Sequence, residues 1–166
     1  TNVEVRLGEL EHVGRSQGEW IGLRLFIGAK SASVASSDLA AEAIAELVER
    51  ALAMAAEAPD DPYAGLAPAE FIAVPPFADL NSVDAAELTP VNLRARALAA
   101  ETAALAVPGV TNSSGGSASA SSSVTALATS GGFAGVYAAG GFSCSAGVIA
   151  GQGGAMQRDH AWHGAR

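Results

Sequence analysis

The stretch from residue 38 to residue 57 constrains the fold most, because its apolar residues recur at helical spacing. Starting from Ile44, they continue on one face at Leu47, Val48, Ala51, Leu52 and Ala55. Acidic residues occupy the other side, and Ser37 or Asp38 is a suitable N-cap. The pattern predicts an amphipathic helix over residues 38–57, which must bury its apolar stripe against another layer.

Residues 2–36 supply that layer, because their pattern is that of four short strands. Apolar and polar residues alternate over residues 1–7, as in a half-buried strand. Further strands are predicted over residues 10–15, 20–27 and 31–36, with glycine-containing turns between them. Consecutive strands joined by short turns pair antiparallel, so this part of the chain is predicted to be a meander.

A second helix is predicted over residues 89–106, where Thr89 is a suitable N-cap and Pro90 suits the first helical position. Its apolar line is predicted to comprise Val91, Ala95, Leu98, Thr102 and Leu105. Prolines at positions 59 and 62 end the first helix, and the apolar content of residues 59–88 predicts a connector that packs onto the domain.

Residues 109–166 change in composition, since glycine, serine and alanine dominate them. One interpretation is a disordered linker. The other is a group of strands, which is favoured because small or apolar residues recur at every second position around 124–128, 133–137 and 144–148. Glycine pairs at 131–132 and 140–141 would separate three such strands.

These patterns predict an α+β fold, a mostly antiparallel strand meander packed by two amphipathic helices and followed by Gly/Ser/Ala-rich strands. We divide it into residues 1–106 and a strand-rich continuation, 107–166. Hydrophobic residues make up 49% of the chain but aromatics only 5%, so we predict a core of small aliphatics. Its few large members would be Trp20, Phe26, Phe71 and Phe77.

Charge and hydropathy exclude several partners. The net charge is −8 and the nine basic residues are scattered, so no stripe is available to neutralise phosphates and direct nucleic-acid binding is not expected. No apolar run approaches the roughly 18 residues of a membrane span, and no signal peptide is visible. We expect a cytoplasmic protein whose natural start precedes Thr1, since residues 1–7 already have a strand pattern.

Few residues are candidates for chemistry. His160 and His163 follow Asp159 closely enough to begin a metal site, but no His-Glu-x-x-His motif and no third strong ligand accompany them. We interpret them as solvated residues of a surface strand or terminal segment, and His12 as a solvent-facing strand residue. Cys144, the one cysteine, is interpreted as a small buried strand residue.

The serines of residues 113–123 include no Gly-x-Ser-x-Gly elbow, and the glycine pairs match no nucleotide-binding loop. The sequon at Asn112 has no meaning in a cytoplasmic chain. We therefore predict no catalytic, cofactor-binding or metal-binding residue in this chain.

Taken in order, several segments resemble the PmbA/TldD family, also known as modulators of DNA gyrase. The most specific match is the segment that starts its helix with Ser-Ser-Asp-Leu and leaves it through Asp-Pro-Tyr-Ala-Gly, which is similar to the TldE/PmbA branch. The matching segments are residues 8–11, 22–26, 31–68, 111–116 and 156–160. His160 and His163 depart from that branch, which tends to have aromatic or other residues there.

The resemblance implies a bacterial cytoplasmic subunit of a metalloprotease that is not catalytic alone. Its partner would be a TldD-type subunit with zinc on a His-Glu-x-x-x-His motif, or the chain would form a homo-oligomer, and the substrates would be unfolded peptides. The resemblance also implies that the carboxy-terminal domain of the family lies outside these residues. Two alternatives stay open: a binding or assembly module without a protease role, and an independent metalloenzyme that uses His160 and His163.

Overall fold

The computed structural model describes residues 1–84 and 89–165, which form two compact units. One unit takes the described residues of 1–16, 77–127 and 134–165, and the other takes 17–76 and 128–133. In chain order the elements are β1 (Asn2–Arg6), β2 (Glu9–Gly14), β3 (Ile21–Ile27), β4 (Lys30–Ser36), α1 (Ala41–Glu57), α2 (Pro90–Leu105), β5 (Val110–Ala128), β6 (Ala134–Ala150) and β7 (Gln157–Ala165). Two single-turn 3₁₀ helices lie at Ala69–Phe71 and Gly153–Ala155.

The first unit is a five-stranded sheet in the order β2-β1-β5-β6-β7, with α2 against one face. β1 runs antiparallel to both β2 and β5, and β7 runs antiparallel to β6. The core under the helix is made of small aliphatic side chains, all at most 1% exposed, namely Val3, Val5, Leu93, Ala97 and Ala118.

Helix α2 begins as predicted but buries a different face. Pro90 is its first residue, and the Thr89 Oγ1 accepts a hydrogen bond from the Asn92 N–H at 3.3 Å. The predicted apolar line is wrong at Val91, Ala95 and Thr102, which are exposed, whereas Leu98 packs against the core. The buried residues are Leu93, Ala97 and Glu101. Alanines lie all around this helix, so its apolar pattern does not select one face and the sheet decides.

The second unit is the β3–β4 hairpin with α1 packed on it. Leu47, Ala51 and Ala55 are buried as predicted, whereas Val48 and Leu52 at the edges of the stripe are more than a third exposed. The helix begins at residue 41 instead of 38. The Asp38 carboxylate accepts from the Ala40 N–H at 3.0 Å, a local turn that competes with helix formation just ahead of its first residue.

The α+β class with mostly antiparallel strands is confirmed, but the meander is divided between two sheets. β1 pairs with β2 and β3 pairs with β4, while β2 and β3 are not neighbours in either sheet. Three of the four predicted large core residues are wrong, since Trp20, Phe71 and Phe77 are 76%, 77% and 43% exposed.

Residues 110–165 are strands over most of their length, so the linker interpretation is wrong. The turn predicted at residues 131–132 is present, with Gly132 at a φ of +95° and Thr129 bonded to Phe133 across it. The predicted break at residues 140–141 is absent, because β6 continues through both glycines as one strand. Its described pairing with β7 begins at Phe142, beyond the two glycines.

The connector is more exposed than predicted. Tyr63 is 94% exposed and Val74 is 74% exposed, although Asp61 donates its backbone N–H to the Ala29 carbonyl at 2.8 Å. Ser82 is also held by a backbone hydrogen bond, because its carbonyl accepts from the Gly140 N–H at 2.7 Å. Backbone bonds therefore hold this segment where apolar burial does not. The predicted connector residues 85–88 lie outside the described residues.

Candidate functional site

The serines of β5 form a ladder with β6 on the sheet face opposite α2. Ser117 and Ser145 hydroxyls lie 2.8 Å apart, and Ser119 and Ser143 hydroxyls lie 2.9 Å apart. From one pair to the next the residue number rises by two on β5 and falls by two on β6, so these strands run antiparallel. Each hydroxyl of these pairs is bonded to another hydroxyl and not to a histidine base, the partner that would activate a serine nucleophile.

The two histidines of β7 do not converge. Cys144 pairs with His163 in the register and Gly147 pairs with His160. Successive strand residues point to opposite faces, so side chains three positions apart lie on opposite sides of the sheet. Across residues 1–84 and 89–165, no three His, Cys, Asp or Glu side chains are grouped to hold a metal ion. His12 is exposed on β2 opposite Glu4.

Cys144 lies on the helix-facing side of β6, half-buried against the core under α2. Its thiol donates to the Arg96 carbonyl at 3.6 Å. Burial raises the pKa of the Cys144 thiol, and the Arg96 charge and a backbone bond from Ser145 only partly oppose it. A raised pKa disfavours the thiolate, so this cysteine lacks the activation of a catalytic nucleophile.

A shallow open groove of about 500 Å³ lies on the serine-bearing face. Trp162, which is 72% exposed, forms one wall and its ring lies over Gly164. Three serines also line the groove, Ser119, Ser121 and Ser143, together with Gly141. With no charged side chain among its lining residues, the groove offers contact area and hydroxyl groups but no acid, base or metal ligand.

The far half of the β5–β6 hairpin exposes large apolar side chains. Val124 and Val136 are 75% and 69% exposed, and Leu127 and Tyr137 are 57% and 48% exposed. The register set by the serine pairs places the two valines on one face and the other two residues on the opposite face. Each face of this half therefore exposes two large apolar side chains.

Glu101 is the most buried ionisable residue that the structure describes, and sequence analysis did not find it. It is 2% exposed, and its carboxylate accepts from the Leu7 and Gly8 N–H groups at 2.8 and 3.0 Å. It also accepts from the Ser113 hydroxyl. Its position four residues after Ala97 and eight after Leu93 is a signal only once the buried face of α2 is known.

The electrostatics of Glu101 favour the charged form. Burial raises the pKa of this carboxyl, but hydrogen bonds from Ser113, Gly8 and Leu7, together with the Arg6 charge, outweigh it and bring the pKa below the ordinary glutamate value. Glu101 is thus a carboxylate held for structure, since all its donors belong to the surrounding backbone and one serine.

Family models match two parts of the chain. The model described as PmbA/TldA metallopeptidase domain 1 matches residues 1–55, and that described as the central domain of the same metallopeptidases matches residues 78–164. Metalloprotease PmbA of Escherichia coli O157:H7 is 35% identical over 162 residues, and the PmbA homolog of Haemophilus influenzae is 32% identical over 160. These matches cover 97% and 96% of this chain but 36% and 35% of the relatives.

Solved structures share the fold. A protein described as a modulator of DNA gyrase from Bacteroides thetaiotaomicron superposes with a TM-score of 0.83 at 19% identity, over 98% of this chain and 38% of its own. TldE from Thermococcus kodakarensis superposes with a TM-score of 0.72 at 15% identity, over 98% and 37%. In the part of the chain described, neither helix is long and apolar enough to cross a membrane.

Proposed function

The chain belongs to the PmbA/TldD family of metallopeptidases, and from that premise we propose that it is a non-catalytic subunit of the TldE/PmbA type. It pairs with a TldD-type subunit that carries zinc on a His-Glu-x-x-x-His motif. The chain spans about a third of the length of the curated relatives it matches, so this role is proposed for the complete protein that contains it.

The arrangement of metal-binding side chains carries the proposal. A catalytic zinc takes three protein ligands and leaves one position for water. The histidines of β7 lie on opposite faces, and the side chains between residues 1 and 84 and between 89 and 165 provide no group of three ligands. These residues do not fit a zinc site, so any peptide cleavage is assigned to atoms outside them.

The far half of the β5–β6 hairpin is proposed to line the peptide path or the contact with the partner subunit. Its valines and its alanines at positions 126 and 128 are exposed. Small side chains let another backbone approach closely, and main-chain hydrogen bonds then bind an extended peptide with little side-chain selectivity.

Co-purification and a peptidase assay test the pairing. The complete protein is expected to bind a subunit bearing His-Glu-x-x-x-His, and only the pair is expected to cleave unfolded peptides in a chelator-sensitive way. Activity of the complete protein alone, with zinc bound to residues of this chain, would contradict the proposal. Purification without any such subunit would instead favour a homo-oligomer, or a binding or assembly module without a protease role.

Substitutions on the hairpin test the surface. Val136→Asp and Ala126→Trp change the same face, and each is expected to weaken pairing or peptide turnover by at least tenfold because a charge or an indole would enter a packed contact. Ser33→Asp, exposed on β4 and outside the hairpin, is the matched control. Equal pairing and turnover in all three variants would remove the hairpin from the proposed contact.

A cytoplasmic location and the division of the chain at residues 106 and 107 stay proposals alongside this function. Fractionation of cells that produce the complete protein tests the location. Limited proteolysis tests the division, with first cleavage near residue 106 as the expected outcome.

A further inference from the structure

Two backbone features next to Glu101 are strained or irregular. Leu7, in the β1–β2 turn, has a φ of 50°, a left-handed conformation that a branched side chain rarely adopts. Residues 112–115 form a kink in β5, because Ser113 and Gly116 are both buried although they are three positions apart. Gly115 has a φ of +117° within that kink. Such conformations persist only where their surroundings hold them.

The Glu101 carboxylate contacts both features at once. On one side it accepts from the N–H groups of Leu7 and Gly8. On the other it accepts from the Ser113 hydroxyl, whose oxygen in turn accepts from the Gly115 N–H at 2.9 Å. One side chain of α2 therefore joins a turn and a kink that lie more than 100 positions apart in the chain.

Few charges act on this carboxylate. Arg6 on β1 is the ionisable side chain whose charge favours the carboxylate, and its Nε also donates to the Ser113 carbonyl at 3.3 Å. The turn residues 7–8, the kink and the α2 positions one turn away at 97, 98, 104 and 105 have no ionisable side chain. The charge on Glu101 is thus set by its donors and by one arginine.

We propose that Glu101 is a latch: its carboxylate keeps the β1–β2 turn and the β5 kink closed as one locally cooperative unit, which opens without global unfolding when that charge is removed. A neutral side chain at this position leaves the turn N–H groups with a poorer acceptor and releases the Ser113 hydroxyl. The strained turn then has less to hold it, so the β1–β2 hairpin is the first part to open.

Hydrogen–deuterium exchange of the complete protein, followed by mass spectrometry, tests the latch. In Glu101→Gln at neutral pH, peptides covering residues 2–14 and 110–119 are expected to exchange about tenfold faster or more, the factor for losing one hydrogen bond to a charged group. Peptides covering α1 and the β3–β4 hairpin are expected to be unchanged. Glu11→Gln, exposed on β2, is the matched control.

Other outcomes would overturn the latch. Faster exchange in only one of the two segments would show that they are not one unit, and equal acceleration of every peptide would show that Glu101 supports only global stability. If Glu101→Gln does not fold, Ser113→Ala leaves the carboxylate and its backbone donors in place. This variant is expected to accelerate hydrogen–deuterium exchange in residues 110–119 and, more weakly, in residues 7–8. Unchanged exchange in both segments would also refute the proposal.

Discussion

At the residue scale, Glu101 makes the stability of the first unit depend on acid. The folded pKa of Glu101 lies below the ordinary glutamate value, so the stabilisation is present above that ordinary value and is lost as the pH falls through the lower folded pKa. Thermal unfolding of the complete protein is expected to show a falling Tm over this range.

Glu101→Gln is expected to lower the unfolding free energy of the first unit at pH 7 by about 2–3 kcal/mol, because buried N–H groups lose a charged acceptor. It is also expected to flatten the acid dependence of Tm relative to the parent protein and to Glu11→Gln. An acid dependence as steep in Glu101→Gln as in the parent protein would assign that dependence to other carboxylates.

Cys144 gives a second prediction at this scale. Because burial raises the pKa of its thiol, alkylation by iodoacetamide near pH 7.5 is expected to be slower in the folded protein than in urea. Mass spectrometry of the peptide that contains Cys144 measures the rate. Alkylation faster than in the unfolded chain would mean an activated thiol, which the observed surroundings do not provide.

At the element scale, α2 depends on its N-cap. The Thr89 hydroxyl oxygen satisfies the Asn92 N–H, one of the four that a helix start leaves without an intrahelical partner. Thr89→Ala is expected to lower the unfolding free energy by about 1 kcal/mol in urea denaturation. Thr102→Ala, exposed on the same helix, is the control and is expected to change it by less than about 0.5 kcal/mol.

The packing of α2 on β5 depends on a residue without a side chain. A Cβ on Gly116 would lie 2.5 Å from the Ala97 carbonyl oxygen and 3.0 Å from the Glu101 Cβ. Gly116→Ala is therefore expected to cost about 1–3 kcal/mol of stability, because the helix must move off the sheet. Gly22→Ala in β3, where a Cβ meets nothing within 4 Å, is expected to be neutral or stabilising.

At the scale of the whole molecule, the histidines of β7 are expected to make no contribution to the zinc content of the complete protein. The complete protein and a variant with His160→Ala and His163→Ala are expected to contain the same amount of zinc by elemental analysis. They lie on opposite faces of an edge strand, so they do not form a site together. Loss of zinc in the double variant would revive the metalloenzyme alternative.

Much of the fold could be predicted from local pattern. The α1 stripe, the Thr89–Pro90 start of α2, the glycine turn at 131–132 and the strand character of the residues around 124–128 and 144–148 follow from spacing and from turn chemistry. The start of α1 and the continuation of β6 through residues 140–141 could not be predicted. In both places hydrogen bonds prevailed over composition, because the Asp38 carboxylate accepts from the Ala40 N–H and the Gly140 N–H donates to the Ser82 carbonyl.

The sequence by itself determined the element types, the antiparallel pairing within each hairpin and the family, because those depend on residues close together in the chain. Only the tertiary structure decided which face of α2 is buried, that β1 pairs with β5 across more than 100 residues, and that Glu101 lies between a turn and a kink. Because α2 has alanine on every side, its own sequence does not favour burial of one face. The shape of the opposing sheet therefore determines which face of α2 is buried.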